Sequence, residues 1–190
     1  MNQTRSILSP LPVAGEGLRE RVFFAGIDPR ICSLNATLKT LLETQHMTAT
    51  FTDWVAIVET KARYCRCLDT KDWAGYTDCF TEDLVLDNPP QNTITNGRDA
   101  AVKKVRSLVE TSKTVHHVHN PEITFDADGQ SANVIWAMQD RNTWDEARSK
   151  QTGTKGHAGY GHYHERYVKC ADGKWRIKVL RLSYLHMDFY

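Results

Sequence analysis

The stretch Ala132-Asn133-Val134-Ile135-Trp136-Ala137-Met138-Gln139-Asp140 decides the fold. Ala132, Val134, Trp136 and Met138 recur with a period of two, so one face of a long strand, residues 132–144, is apolar. Asp140 continues that face. A carboxylate on an apolar strand face needs a partner or a raised pKa. Upstream, Asp126-Ala127-Asp128-Gly129 reads as a turn, and Val115–Phe125 as the strand before it. Downstream, residues 145–156 are charged and contain Gly153 and Gly156, which predicts a loop. Strands follow over 157–170 and 175–187, joined by a turn at Ala171-Asp172-Gly173-Lys174. The C-terminal half is therefore a mostly antiparallel meander.

Before it the period is helical. Trp54, Ile57, Val58, Ala62, Cys65 and Leu68 form a stripe that predicts a first helix, with Thr52 or Asp53 as its cap. Trp73, Tyr76, Cys79 and Phe80 mark a short second helix. Leu84–Asp87 reads as a strand stopped by Asn88-Pro89-Pro90, residues 91–97 as a loop, and 98–111 as a third helix. Helices followed by an antiparallel sheet imply an α+β fold, with one sheet curved around the helices.

Residues 1–46 carry no such pattern. Ser9–Gly17 is rich in breakers, and 33–44 holds a short leucine stripe. We read 1–46 as an N-terminal extension, mobile or not native, with Met47 as an alternative start, and 47–190 as the domain.

At 190 residues the chain is long enough for a sizeable core. A net charge of +1 and the lack of a basic face argue against nucleic acid or an anionic membrane as partner. No apolar run has the length of a membrane span. Five cysteines without a zinc spacing read as reduced thiols in a cytoplasmic protein.

Two stretches carry the chemistry. Tyr64-Cys65-Arg66-Cys67-Leu68-Asp69 puts a phenol and a carboxylate at a helix end. They stand about 140° apart around an ideal helix, so they converge only if the helix turns near Asp69. Otherwise Asp69 caps the second helix and Tyr64 is a core phenol. In Val115-His116-His117-Val118-His119-Asn120, His116 shares a face with Val118 and Asn120. His117 and His119, with His162 and His164, are the pairs a metal site would use, and a histidine-rich metalloenzyme is one competing reading. Trp136, Met138, Tyr160, Tyr163 and Tyr167 can wall an apolar pocket or fill an ordinary core. Arg181, on the last strand, is either a paired structural residue or an anion clamp.

The phrases Arg63–Trp73 and His116–Thr124, with Trp136 and the Gly173-Lys174-Trp175 turn, carry a resemblance. Residues 53–188 resemble the SnoaL-like branch of the nuclear transport factor 2-like superfamily, and within it the motifs are most similar to those of bile acid 7α-dehydratases. The resemblance implies a cone-shaped curved sheet around three N-terminal helices, and a dimer or trimer formed through the outer sheet face. It implies no metal or organic cofactor. It places catalytic roles on Tyr64, Asp69, His116 and Asp140. The family's arginine falls on Tyr184, so either Tyr184 or Arg181 takes that place.

The implied activity is a dehydratase-type lyase or an isomerase acting on a hydrophobic oxygenated molecule such as a steroid, polyketide or terpenoid. His116 would be the base, Asp69 would orient it, and Tyr64 would bond a developing oxyanion. Asp140, kept partly protonated by apolar neighbours, would protonate the departing hydroxyl. Trp136, Met138, Asn120, Tyr163, Arg181 and Tyr184 would contact substrate. The other competing reading is a non-catalytic ligand-binding module, or an assembly subunit like the small subunit of ring-hydroxylating dioxygenases.

Overall fold

The first helix lays a buried face on the sheet through Ile57, Lys61, Tyr64 and Leu68, spaced four, three and four apart as one side of a helix requires. The computed structural model describes residues 51–190. The expected extension 1–46, the leucine stripe at 33–44 and Met47 lie outside the described residues. Residues 51–70 are helical throughout (α1), so Thr52 and Asp53 sit within the helix and do not cap it. Asp53 instead accepts hydrogen bonds at 3.0 Å from Trp175 Nε1 and from Lys169 Nζ, tying α1 to the sheet.

The buried stripe is also rotated from the expected one. Ala62 is exposed, and Thr60 and Lys61 are buried in its place. A lysine can be buried when its charge is paired and hydrogen-bonded, which hydrophobic periodicity does not register.

The end of α1 is set by Lys71, whose positive φ of 61° turns the chain out of the helix. Asp72 N–H donates to Cys67 O at 2.8 Å, the long closing bond of a left-handed helix terminus. Asp72, and not Asp69, then caps the short helix Trp73–Asp78 (α2) by accepting from Gly75 N–H. That leaves the Asp69 carboxylate available for the sheet.

The strands are Phe80–Asn88 (β1), Thr93–Asn96 (β2), Lys113–Phe125 (β3), Ser131–Thr143 (β4), Gly156–Lys169 (β5) and Trp175–Phe189 (β6). Phe80, expected in the second helix, opens β1. The expected loop at 91–97 contains β2, which pairs with β1 through residues such as Ile94 and Asp87. Helix Arg98–Val109 (α3) follows. The expected loop at 145–156 contains a further helix, Glu146–Thr152 (α4), started by the Asp145 side chain accepting from Arg148 N–H and ended by Gly153 at a φ of 72°.

The six strands make one mixed sheet in the order β2-β1-β6-β5-β4-β3, antiparallel except for β1 beside β6. Its concave face supplies Val134, Trp136, Tyr163, Tyr167, Trp175 and Ile177 to a core shared with α1. This is the expected α+β fold, a curved sheet with helices against one face.

Candidate functional site

Register sets the site. His116 on β3 lies opposite Asp140 on β4, and Asp140 lies opposite Gly159 on β5. In the next rung β5 meets β6 with Gly161 beside Tyr184. These residues face inward over the end of α1. His116, Asp140 and Tyr184, together with Tyr64, Leu68, Val105, Leu182 and the ring of Trp144, line a cavity of about 160 Å³.

Asp69 reaches the sheet from the last turn of α1. It accepts three hydrogen bonds: from Thr114 Oγ1 at 2.9 Å, from the His116 backbone N–H at 2.8 Å and from His116 Nδ1 at 2.6 Å. Lys71 Nζ donates to Thr114 Oγ1 at 2.9 Å, which orients that hydroxyl toward Asp69. A carboxylate beside Nδ1 assigns the proton to that nitrogen. Nε2 then carries the lone pair, and among the described residues it has no hydrogen-bond partner. The His116 side chain is 8% exposed, close to the accessibility of a core residue.

Tyr64 is buried in a cluster with Tyr76, Phe80 and Tyr163, at centroid distances of 5.1, 5.9 and 5.9 Å. Burial, reinforced by the neighbouring Tyr163 phenol, holds its pKa well above the ordinary range, so at neutral pH it can only be a phenol. Beneath this cluster lies an ion pair that periodicity did not disclose. Lys61 Nζ donates to Glu165 Oε1 at 2.6 Å with both side chains fully enclosed. Tyr167 donates to the other carboxylate oxygen at 2.7 Å. The ammonium also stands 3.9 Å from the centre of the Tyr64 ring and 3.5 Å from that of Tyr163, a cation–π arrangement that fixes both rings.

Asp140 corrects an expectation. It is 2% exposed, yet its carboxyl lies below its ordinary pKa. Burial raises it, but the Tyr184 hydroxyl and the nearby His157 and His116 rings outweigh burial. Tyr184 donates to Oδ2 at 2.5 Å, and His157 Nε2 lies 3.5 Å from Oδ1. That direction favours the ionised carboxylate over the partly protonated acid expected from the sequence. Arg141, its sequence neighbour, points to the opposite face and stacks over Tyr190. Gly159 makes the contact possible, because a Cβ there would collide with the Tyr184 ring and come within 2.6 Å of Asp140 Oδ1.

Of the other expected residues, Tyr163 and Tyr184 line the cavity. Trp136 and Met138 are buried in the core and do not. Asn120 is exposed at a φ of 42°, where the β3–β4 register shifts between His119 and Glu122. Pro121 has no N–H for the ladder, and the resulting bulge takes Asn120 off the face of His116. Arg181 lies on the convex face, 3.5 Å from Asp87, with its side chain 57% exposed. No bulge separates it from Tyr184, so the two take opposite faces. Tyr160 is also convex, stacked on His186.

His117 and His119 stand on the edge strand β3, His162 and His164 on β5, with β4 between them. Among the described residues no three His, Cys, Asp or Glu side chains are grouped to hold a metal ion. No described helix is long and apolar enough to cross a membrane.

Sequence reading missed His157, at the start of β5. The signal was present: His157, Gly159, Gly161, Tyr163, Glu165 and Tyr167 share one parity, and the two glycines and two tyrosines mark it as the inner one.

The model of the SnoaL-like domain family matches residues 49–181, and the chain belongs to that family. Among solved structures, a candidate scytalone dehydratase from Novosphingobium aromaticivorans is 25% identical, with a TM-score of 0.66 over 76% of this chain and 91% of that one. A type 2 hexachlorocyclohexane dehydrochlorinase shares the fold at 13% identity, with a TM-score of 0.64 over 75% of this chain and 92% of that one. So does ActVI-ORFA of Streptomyces coelicolor, at 16% identity, with a TM-score of 0.57 over 70% of this chain and 97% of that one.

Proposed function

We propose that this protein is a cofactor-independent acid–base lyase, of dehydratase type, for a hydrophobic oxygenated small molecule such as a steroid, polyketide or terpenoid. One observation carries the reading. His116 is held through Nδ1 by Asp69 at 2.6 Å, which leaves Nε2 unengaged on a residue that lines an apolar-walled cavity. A neutral imidazole oriented by a carboxylate is a general base, and the carboxylate stabilises the imidazolium it becomes.

His116 Nε2 removes a proton from carbon next to a carbonyl. The C–H electrons pass into the enolate. Tyr64, kept as a phenol by its buried surroundings, donates a hydrogen bond to the enolate oxygen. Collapse of the enolate breaks the Cβ–O bond, and the hydroxyl leaves as water when a proton is delivered to its oxygen. Return of the proton at another carbon gives isomerisation from the same parts. The Lys61–Glu165 pair holds the Tyr64 ring from below.

The test uses the full chain and a panel of β-hydroxy ketones on steroid, tetralone and open-chain aryl frames, with dehydrated product detected by mass and absorbance. His116→Ala is expected to lower kcat/KM by ~10²–10⁴-fold without loss of fold. Dialysis against EDTA is expected to leave the rate unchanged. A His116→Ala protein that turns over substrate at the wild-type rate removes this assignment.

A further inference from the structure

Expelling hydroxide from an enolate needs a proton on the leaving oxygen, and Asp140 is already engaged as the acceptor of the Tyr184 hydroxyl. Resting on the reading above, we propose that His157 is a second catalytic imidazole, the acid that protonates the departing hydroxyl, paired with Asp140 as His116 is paired with Asp69.

Four observations support the pairing. His157 lines the same cavity as His116 and Tyr64. Its Nε2 lies 3.5 Å from Asp140 Oδ1 and 3.0 Å from the Asn142 amide. Asp140 Oδ1, the acceptor at 3.5 Å, is buried with no hydrogen-bond partner, and so is Asn142 Oδ1 on the neighbouring amide. An orphaned buried acceptor is costly, so a proton on Nε2 is favoured. Turning the Asn142 amide over brings its oxygen to the same N–H. Finally, the ring is held by Trp144, Tyr184 and Phe189 at centroid distances of 6.1, 6.5 and 5.9 Å.

With Nε2–H directed at Asp140 and Asn142, Nδ1 is the nitrogen left for substrate. A second proton there is stabilised by the Asp140 carboxylate. The charged and titratable groups around His157 are Asp140 on β4, Tyr184 on β6, His116 on β3 across Asp140, and Arg148 on α4. Of these, Tyr184 and Arg148 do not compete as acids. Tyr184 spends its proton on Asp140. Arg148 donates to Leu108 O at 2.5 Å, stacks over Trp144, and does not deprotonate in a protein.

The step balances without a co-reactant. His116 Nε2 gains the α-proton and the Cα–H pair becomes the Cα=Cβ bond. The Cβ–O bond breaks, its electrons stay on oxygen, and His157 Nδ1 gives that oxygen a proton, releasing water. His116 ends as imidazolium and His157 neutral, and exchange with water restores both.

The test is a leaving-group comparison with β-hydroxy-β-(p-nitrophenyl)ethyl methyl ketone and its β-fluoro counterpart. Both lose the same α-proton and give the same coloured enone, but fluoride departs without a proton. His157→Gln is expected to lower turnover of the hydroxy ketone by ~10²–10⁴-fold and of the fluoro ketone by less than about tenfold. His116→Ala lowers both. The wild type supplies an independent measure. Its hydroxy-ketone rate falls on the alkaline side as His157 loses its proton, whereas the fluoro-ketone rate does not.

Equal losses on the two ketones, full retention of hydroxy-ketone turnover by His157→Gln, or no alkaline limb in the wild type would each overturn the assignment. If the wild type turns over the fluoro ketone but not the hydroxy ketone, base catalysis stands and His157 is not the acid. If it turns over neither, the lyase reading falls and this one with it.

Discussion

Asp140 and Tyr184 show how a single contact sets a protonation state. A carboxyl as buried as Asp140 would ordinarily be neutral. The Tyr184 hydroxyl and the His157 ring reverse that, and the carboxyl sits below its usual range. A carboxyl depressed in the folded state contributes stability above its unfolded pKa. That stability is lost as pH falls through the folded value. Tyr184→Phe removes the hydrogen bond that Asp140 Oδ2 accepts, so the Asp140 pKa is expected to rise and acid unfolding to begin at a higher pH. Carboxyl carbon NMR over an acid titration reads the first effect and circular dichroism the second. An unchanged Asp140 midpoint would show that the hydroxyl does not hold the charge.

That site was partly legible in sequence. The family resemblance points to His116 and Asp69 as partners, whereas spacing alone leaves Asp69 as a helix cap and His116 as one strand histidine among several. Asp140 could be placed on the inner face but not given its charge state, which depends on two residues 17 and 44 positions away in the chain. His157 was passed over because parity was not followed through β5.

At the scale of elements, α1 meets β5 through a buried charge pair. Lys61 and Glu165 are 104 residues apart and fully enclosed. Removing one partner of such a pair leaves the other charge without compensation, at a cost of ~3–5 kcal/mol. Lys61→Met is therefore expected to lower unfolding free energy by that order in urea titration. The double variant Lys61→Met with Glu165→Met is expected to recover most of it. Two single variants that each cost under ~1 kcal/mol would mean the pair is dispensable to the packing. The same pair explains the rotated stripe on α1: periodicity counts Lys61 as polar and so assigns the inner face to Ala62.

For the described domain as a whole, the cysteines report the integrity of the core. Burial pushes the Cys65 and Cys79 thiols up to about 11, and it also raises Cys67. Thiolate is the reactive form, so these three are expected to resist iodoacetamide at mildly alkaline pH while the fold is intact. The partly exposed Cys170 should react first among the described cysteines. Peptide mapping after timed alkylation checks this, and early labelling of Cys65 would contradict the packing of α1 on the sheet.

What the chain determined by itself was local. Alternation fixed which strand faces point inward, helical spacing located α1 and α3, and the motifs shared with a known family singled out a phenol, two carboxylates and an imidazole. Periodicities of two and 3.6 are properties of a backbone and its near neighbours, so they survive in a bare sequence. Tertiary structure decided the rest: the order of six strands, the bulge that turns Asn120 away, the face given to Arg181, and the arrival of Tyr184 and His157 at Asp140. Those depend on register between distant segments, and a shift of one residue sends every side chain of a strand to the other face.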